Sequence, residues 1–315
     1  MPQTNQCVSS RAFDVIGVGY CTADFLGIVP HYPALDEKIR MLELSQQGGG
    51  PVATAMVTLA RLGAKVSFVG TVGDDDLGGW ILDSLEAEGV RVEKVLVQKD
   101  ARSQMSFIAV DKETGKRTIF WTRGDVPYLK PSDLDREYVI GCRVLHVDGL
   151  EMEAAIAAAC WANEAGVTVS FDAGSVRPGS EILVEHVDIL AASDQFARDF
   201  TGLNDPAEAA KQLLGGRRRW AVVTRGEEGC WCAEAREAFH VPGFKVDVVD
   251  TTGAGDVFRG ALAFGVVKDW DLRTSATFAS AVAAIKCAKL GGRAGISDYS
   301  STERFLVERG CGLPG

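Results

Sequence analysis

Apolar and polar residues repeat with two different periods along most of this chain. Short continuous apolar runs are typical of buried strands, and apolar residues three and four positions apart are typical of helices. The runs predict strands at residues 15–18, 66–69, 144–147, 167–171, 188–190 and 220–223. The spaced patterns predict helices at residues 52–62, 77–87, 154–165, 207–214, 254–267, 272–290 and 301–308. Because strands and helices alternate, the predicted fold class is α/β, with a doubly wound, mostly parallel sheet and helices on both of its faces.

Two regions, residues 26–46 and 91–123, break this alternation because they contain strands without helices between them. We interpret them as a small β-sheet that projects from a core formed by residues 12–315. Within the second region, residues 91–97, 105–110 and 117–121 are predicted to be neighbouring strands. Residues 1–11 are polar and lack the apolar centre of a secretory signal, so they are predicted to be a disordered tail.

Composition and charge exclude several kinds of partner. The net charge of −10 and the pI near 5.0 argue against a nucleic-acid-binding protein. No apolar run approaches the roughly 20 residues that a membrane-spanning helix needs, so no membrane partner is expected. The 8 cysteines are scattered, and the spacing of Cys230 and Cys232 is too short for a zinc motif. We therefore expect reduced thiols in a cytoplasmic protein.

The most informative segment is Asp250-Thr-Thr-Gly-Ala-Gly-Asp256, which lies between a predicted strand at residues 244–249 and a buried helix. Unpaired backbone amides and the positive end of the helix dipole meet at such a junction, which favours phosphate binding. Gly253 and Gly255 allow a ligand to approach the backbone closely. Asp256 would repel phosphate, so its presence indicates a base that takes a proton from an attacking hydroxyl.

This segment is neither of two common nucleotide motifs. The chain contains no Walker loop, and the pair Gly253 and Gly255 lacks the third glycine of the dinucleotide fingerprint. A plain tight turn is the alternative interpretation. As a whole, residues 250–256 resemble the nucleotide-side signature of the ribokinase-like (PfkB) carbohydrate kinases. Residues 48–63, a glycine run followed by a helix and an Arg-Leu-Gly end, resemble the second signature of that family.

The resemblance extends over about residues 13–306 and is strongest to the branch of ketohexokinases and sulfofructose kinases. The segments that carry the likeness to this branch are residues 48–51, 244–250 and 291–296. The resemblance implies a ribokinase-like fold whose projecting sheet is a lid over the sugar site. In the family this lid often joins two subunits, so a homodimer through the lid is expected.

The resemblance also implies a set of sugar-binding residues. Asp24 matches an aspartate that holds sugar hydroxyls, although a turn aspartate is the alternative. Gly49 and Gly50 would offer backbone amides to the sugar. Thr54 stands where the family usually has asparagine, and its hydroxyl offers fewer hydrogen bonds than an amide.

Two further residues remain open between a binding role and a plain one. Asp148 follows a predicted strand and either faces the sugar or organises its own loop. Lys38, at the start of a predicted lid strand, resembles a lysine that meets an anionic sugar substituent in sulfofructose kinases. A solvated lysine is the alternative, and the sequence does not decide whether the substrate carries an anionic group.

On the nucleotide side, the resemblance implies that ATP lies against two segments. Residues that match the family near ATP and its adenine are Thr224, Gly226, Gly229, Ala283, Cys287 and Gly292. Asp250 and Thr252 match positions that bind a monovalent cation, which would be K⁺. The Asn-x-x-Glu motif that many members use for Mg²⁺ is replaced by Ser-Asp-Gln-Phe at residues 193–196. Mg²⁺ is therefore expected to arrive bound to ATP.

These inferences predict an ATP-dependent kinase that transfers the γ-phosphoryl group of MgATP to a primary hydroxyl of a small sugar, either a ketose or a ketose derivative. Asp256 is the predicted base, and the amides of Gly253, Ala254 and Gly255 are predicted to stabilise the transferring group. Two alternatives stay open: a nucleoside kinase of the adenosine kinase type, and a non-catalytic sugar sensor on the same fold.

Overall fold

The computed structural model of the protein describes residues 11–114 and 116–313. Apart from Arg11, the predicted tail lies outside the described residues. The strands are β1 (Phe13–Val18), β2 (Thr22–Val29), β3 (Glu43–Gly49), β4 (Val66–Val69), β5 (Thr71–Gly73), β6 (Leu96–Gln98), β7 (Met105–Asp111), β8 (Arg117–Thr122), β9 (Cys142–Val147), β10 (Thr168–Ala173), β11 (Ile189–Ser193), β12 (Trp220–Thr224), β13 (Cys230–Glu234) and β14 (Ala238–Val241). The helices are α1 (Pro51–Arg61), α2 (Asp76–Glu86), α3 (Arg136–Val139), α4 (Met152–Glu164), α5 (Ser180–Val184), α6 (Asp194–Thr201), α7 (Pro206–Leu213), α8 (Ala254–Val267), α9 (Leu272–Lys286) and α10 (Tyr299–Val307).

Eight strands form the central sheet, in the order β14-β13-β12-β11-β10-β9-β1-β4. The strands from β12 to β4 in this order are parallel, and β13 and β14 are added antiparallel. Neighbouring side chains of one strand enter opposite cores: Val15 packs with α1, α8 and α9, and Ile16 packs with α4 and α7. Burial on both faces explains the continuous apolar runs in the sequence. The predicted α/β fold class is confirmed.

A second sheet of four strands, in the order β3-β2-β7-β8, stands apart from the central one, which confirms the predicted projecting sheet. Its membership differs from the prediction, because residues 91–97 do not belong to it. Within this segment Arg91 bridges to Ser67, and β6 pairs with β5 in a separate two-stranded sheet. The physical reason is that Val92 is buried in the main core, which holds this segment against the core.

The predicted strand at residues 244–249 is wrong, because these described residues form no strand. Phe244 and Val246 are half-buried while Lys245 and Asp247 are exposed, so the alternation reflects one-sided packing of an extended segment. The amides of Val249 and Asp250 instead donate to the carbonyl of Cys287, at 2.8 and 3.2 Å.

The helix predicted at residues 272–290 ends at Lys286, four residues early, and the chain then turns toward the segment before α8. The Cys287 carbonyl that follows the helix accepts from the amides of Val249 and Asp250, as described above. The other long helices begin and end within two residues of their predicted bounds. Among the described residues, no helix combines the length and the apolar character that crossing a membrane requires.

Candidate active site

The predicted anion site lies at the N-terminus of α8. Gly253 precedes the helix with φ 71°, and a Cβ atom there would lie 3.0 Å from Cα of Gly292, so both the backbone angle and the space require glycine. The amide of Ala254 already donates to the carbonyl of Thr251 at 3.2 Å. Gly255 and Asp256 follow in the first turn, where helical amides lack intrahelical acceptors. This geometry is that of an anion-binding helix N-terminus.

The Asp256 side chain reaches the surface of this site and is 25% exposed. One helical turn later, Arg259 is buried, and its Nη1 lies 3.9 Å from Oδ1 of Asp256. The Nε of Arg259 donates to the carbonyl of Ala191 at 3.1 Å and forms an ion pair with Oδ1 of Asp172, at a distance of 2.9 Å. Sequence analysis missed Arg259 and Asp172. A charged residue within the apolar run 257–264 was the signal that could have found the first.

Burial and charge act in opposite directions on these carboxylates. Burial raises the pKa of Asp256, and the cations Arg259, Lys286, Arg117 and Arg293 oppose the rise in that order. Burial likewise raises the pKa of Asp172, against the attraction of its partner Arg259. Cations from α8, α9, β8 and the loop after α9 thus all favour the charged form of Asp256.

The register of the projecting sheet aligns four side chains in one row across it. Gln47, Asp24, Ser106 and Trp121 lie opposite one another on β3, β2, β7 and β8. Facing pairs share one side of a sheet, so Trp121 stands on the same face as Asp24, and its side chain is 68% exposed. Sequence analysis did not select Trp121 or Ser106, because register is not visible in one sequence.

Asp24 is buried, and its Oδ1 accepts a hydrogen bond from the Ser106 hydroxyl at 2.7 Å. Burial raises the pKa of Asp24 to about 6, and the charge of Asp256 contributes in the same direction, while the hydrogen bond from Ser106 and the charge of Arg293 oppose the rise. A Cβ atom on Gly49 would lie 2.0 Å from Oδ2 of Asp24. Gly50 has φ 90°, and a Cβ atom there would lie 2.4 Å from the carbonyl of Tyr20.

A buried arginine supports the other side of this glycine run. Arg293 Nη2 donates to the carbonyl of Gly49 at 2.9 Å, and Arg293 Nε donates to the hydroxyl of Thr54 at 3.4 Å. A Cβ atom on Gly48 would lie 2.0 Å from Nη1 of Arg293. Because these two glycines lack a Cβ atom, Arg293 can pack against Gly48 and Asp24 can pack against Gly49. Thr54 is buried and engaged with Arg293, a contact that sequence analysis did not foresee.

The contacts of Asp148 favour the loop role over the sugar role. Its Oδ2 accepts from the amides of Tyr20 and Val52, at 2.9 and 3.4 Å, and its Oδ1 accepts from the amide of Leu150 at 2.9 Å. The carboxylate thereby ties β1 and β9 to the start of α1. Lys38 is exposed in the connection before β3, and it does not stand at the start of that strand, which begins at Glu43.

On the nucleotide side, Thr224 ends β12 and donates its hydroxyl to the carbonyl of Ala192 at 3.3 Å. Gly226 has φ 55°, and Gly229 has φ 95° with the carbonyl of Val241 only 2.1 Å from the position of a Cβ atom. Ala283 lies in the last turn of α9, followed by Cys287 and Gly292. Gly292 lies beside Gly253 at the anion site, and the Cys287 carbonyl holds the segment before it, as described above.

The projecting sheet reaches the anion site through one side chain. Nη1 of Arg117, at the start of β8, donates to the hydroxyl of Thr251 at 2.7 Å. Arg117 therefore joins the projecting sheet to the segment before α8. Sequence analysis missed this residue, because a single arginine after a turn carries no distinctive pattern.

The side chains of both predicted cation ligands, Asp250 and Thr252, form hydrogen bonds within the protein. Oδ1 of Asp250 accepts from the amide and the hydroxyl of Thr252, at 2.9 and 2.7 Å, and Oδ2 accepts from the amide of Gly291 at 2.8 Å. Burial alone would raise the pKa of Asp250, but these hydrogen bonds outweigh burial and hold the pKa below its usual value. Within the described ranges, no group of three or more His, Cys, Asp and Glu side chains could hold a metal ion.

A parallel sheet whose carboxyl edge carries an anion-binding helix N-terminus and two neighbouring carboxylates defines a phosphotransferase-like class of site. Comparison with protein families matches residues 13–298 to the model described as pfkB family carbohydrate kinase. The chain therefore belongs to the pfkB family of carbohydrate kinases. The family and the enzyme class that the sequence predicted are confirmed.

Individual relatives agree with this assignment. The chain is 29% identical over 297 residues to an ATP-dependent ribose-1-phosphate kinase of Halopiger xanaduensis, covering 94% of this chain and 98% of the relative. It is 31% identical over 300 residues to fructokinase-2 of Zea mays, covering 85% and 89%. Among solved structures, a putative ribokinase from Agrobacterium tumefaciens superposes with a TM-score of 0.88 at 27% identity, covering 94% of this chain and 98% of that one.

Proposed function

We propose that the protein transfers the γ-phosphoryl group of MgATP to a primary hydroxyl of a small sugar, with Asp256 as the base. The observation that carries this proposal is the position of Asp256, which stands in the first turn of α8 beside the anion site and near Asp24. The proton of the sugar hydroxyl passes to the Asp256 carboxylate as the oxygen bonds to the γ-phosphorus. The bond from that phosphorus to the β-phosphate oxygen breaks, and its electron pair leaves with ADP.

The chain's own groups supply most of the electrostatic stabilisation. The amides of Gly253, Gly255 and Asp256 face the charge that develops on the transferring group, and Arg117 adds a cation from the projecting sheet. Because the described residues offer no cluster of metal ligands, Mg²⁺ fits best as an ion held by the ATP phosphates, where it neutralises charge. The proposed nucleotide site lies between two groups of residues. One group is Thr224, Gly226 and Gly229, and the other is Ala283, Cys287 and Gly292.

The sugar is proposed to lie on the row formed by Asp24, Ser106 and Trp121. A carboxylate accepts two hydroxyl groups, and an exposed indole beside it packs against the apolar face of a sugar ring. The amides of Gly49, at the end of β3, and of Gly50, directly before α1, close the site. A ketose or ketose derivative is the proposed substrate class, which fits the fructokinases among the relatives.

A substrate panel tests the proposal. MgATP is supplied with fructose, fructose phosphates, tagatose, ribose, ribose 1-phosphate, sulfofructose, inositols or adenosine, and ADP release is measured with and without the acceptor. Strong ADP release with one ketose confirms the proposed class, whereas release with adenosine favours the nucleoside kinase. Sugar binding by calorimetry without any ADP release favours the sensor and contradicts the proposed function.

We also propose that two copies associate through the face of the projecting sheet that points away from Asp24. Phe25, Phe107 and Phe120 lie in one row on that face. Phe25 packs against the main core, whereas Phe120, on the edge strand β8, is 54% exposed. An apolar row of this kind on a sheet is typical of an association surface. The predicted homodimer through the lid would use this row.

A further inference from the structure

A lysine lies inside the protein at the place where a cation was expected. Lys286, the last residue of α9, is 0% exposed, and its Nζ donates to the main-chain carbonyl of Asp250 at 2.9 Å. Among the described residues it forms no ion pair with a carboxylate. Buried lysines without a paired carboxylate are rare because the charge loses its hydration, so the position of this ammonium group requires an explanation.

The segment around Asp250 explains it. The amides of Val249 and Asp250 donate to the carbonyl of Cys287, and the amide of Gly291 donates to Asp250, so this segment and the end of α9 enclose the ammonium group. The carboxylate oxygens of Asp250 are occupied by Thr252 and Gly291, and its carbonyl is occupied by Lys286. A bound K⁺ would need several of these oxygens as ligands. The residues present therefore do not fit a K⁺ ion at Asp250 and Thr252.

We propose that the ammonium group of Lys286 takes the place of the monovalent cation, so that this kinase carries its own fixed charge beneath the anion site and does not depend on K⁺. An ammonium group has the same charge as K⁺ and donates hydrogen bonds to the carbonyl oxygens that would otherwise bind the ion. The difference is that a covalently held charge is present whatever the salt composition.

The positive charge of Lys286 also favours the ionised form of Asp256, the proposed base. Lys286 is second only to Arg259 among the cations that favour the charged form of Asp256, and Arg117 and Arg293 follow. Asp24 and Asp172 are the acidic groups that face Asp256 from β2 and β10. Because burial lowers the pKa of Lys286 while Asp250 raises it, the same carboxylate that orients the loop also favours the charged ammonium.

The first test compares two salts on the wild-type protein. The Kd of MgADP is measured by calorimetry in KCl and in tetramethylammonium chloride at equal ionic strength, and the unfolding temperature is measured in both. We expect the same Kd and the same unfolding temperature in the two salts. A tighter Kd or a higher unfolding temperature in KCl would overturn the proposal, because it would show that an ion binds beside Lys286.

The second test removes the charge in two ways. Lys286→Ala leaves room for an ion, and Lys286→Met fills the space with an apolar chain of similar length. In tetramethylammonium chloride, both variants are expected to bind MgADP about tenfold more weakly, because each loses a fixed positive charge that attracts the phosphates. KCl should restore affinity to Lys286→Ala and leave Lys286→Met weak. Wild-type affinity in both variants, or an equal response of both to KCl, would overturn the proposal.

The inference rests on the proposed function only for its activity readout. With an acceptor that supports ADP release, wild-type turnover should be equal in the two salts, and Lys286→Ala should gain turnover in KCl. If no acceptor is phosphorylated, the proposed function fails while the MgADP and unfolding measurements still decide the role of Lys286. Should Lys286→Ala fail to fold, the wild-type comparison alone decides it.

Discussion

At the scale of single residues, the site consists of charged side chains that the protein holds away from water. Asp24, Asp172, Arg259 and Arg293 are all buried, and each charge lies near one of opposite sign or near a carbonyl. A low dielectric strengthens every such interaction and makes an unpaired charge costly. The charge of Asp256, which is only partly buried, is therefore set by neighbours rather than by solvent alone.

The first prediction concerns the base itself. Asp256→Asn should lower turnover by about two decades or more, the usual contribution of a general base, because the amide cannot take the proton of the hydroxyl. MgATP affinity should be retained, since an uncharged side chain no longer repels phosphate. ADP release gives turnover, and calorimetry gives affinity. Asp247→Asn, on an exposed carboxylate of the same segment, is the matched control. Near-normal turnover of Asp256→Asn would remove the base from the mechanism.

The second prediction concerns pH. Because Asp256 must be ionised to act, kcat/KM should fall as the pH drops through its pKa. Arg259 is the cation that most opposes the burial-induced rise of this pKa, so Arg259→Met should move the acidic limb upward by about one pH unit. The pH profile of kcat/KM measures the shift.

A matched pair of variants separates charge from folding in that experiment. Arg259→Lys should move the limb less, because it keeps the charge. The double variant Arg259→Met with Asp172→Asn removes both charges of the buried pair and leaves no orphaned carboxylate. Because Asp172 also faces Asp256 with a like charge, the double variant should move the limb less than Arg259→Met alone. A folded Arg259→Met variant with the wild-type acidic limb would show that Arg259 does not act on Asp256.

At the scale of elements, close backbone approach decides which glycines matter. Gly48 and Gly49 end β3 beside Arg293 and Asp24, whereas Gly79 in α2 has open space around the position of a Cβ atom. The same residue type is thus required in one element and dispensable in another. The difference comes from what packs against each strand or helix.

The third prediction follows from this difference. Gly49→Ala would place a Cβ atom 2.0 Å from Oδ2 of Asp24, so Asp24 or the strand must move, at a cost of about 1–3 kcal/mol. We expect a lower unfolding temperature and a sugar kcat/KM reduced by about a decade or more, since a small misplacement of substrate is costly. Gly79→Ala is the control and should be neutral or slightly stabilising. Unchanged kcat/KM in Gly49→Ala would contradict the placement of the sugar beside Asp24.

Sequence patterns predicted the helices and central strands because burial imposes a regular period on them. They predicted Asp256 and Gly253 because both residues belong to one short segment, residues 250–256. They could not supply Trp121, Arg117 or Arg293, which reach the site through strand register or through a long side chain. Residues 244–249 misled because an extended segment packed on one side has the same alternation as a paired strand. Residues 91–97 were assigned to the wrong sheet because one sequence does not show which strand pairs with which.

At the scale of the whole molecule, the projecting sheet has two different faces. The face of Asp24 and Trp121 is directed to the proposed sugar site, and the opposite face carries the phenylalanine row. Among the described residues, the separate buried cluster of this sheet consists of Leu26, Ile108 and Val110, and it is small beside the two clusters of the main core. Association of two copies would give this sheet the second apolar layer that sheets require.

The fourth prediction tests this association. Phe120→Glu should convert a dimer into a monomer in light-scattering chromatography, because a charge cannot be buried unpaired in an apolar interface. Val307→Glu, on an exposed apolar residue of α10, is the control and should not change the mass. A wild-type protein that is monomeric at all concentrations would exclude this surface as an interface.

The hydrogen bond between Arg117 and Thr251 has a kinetic consequence. It connects the projecting sheet to the segment before α8, so in the proposed reaction the phosphorylated sugar and ADP would depart after this bond breaks and the projecting sheet moves away from that segment. Separation of this kind moves solvent, and its rate falls as solvent viscosity rises. We therefore expect kcat to fall in proportion to added sucrose viscosity while kcat of the slow Asp256→Asn variant stays constant. The rate at which this enzyme works would then be fixed by how often it opens.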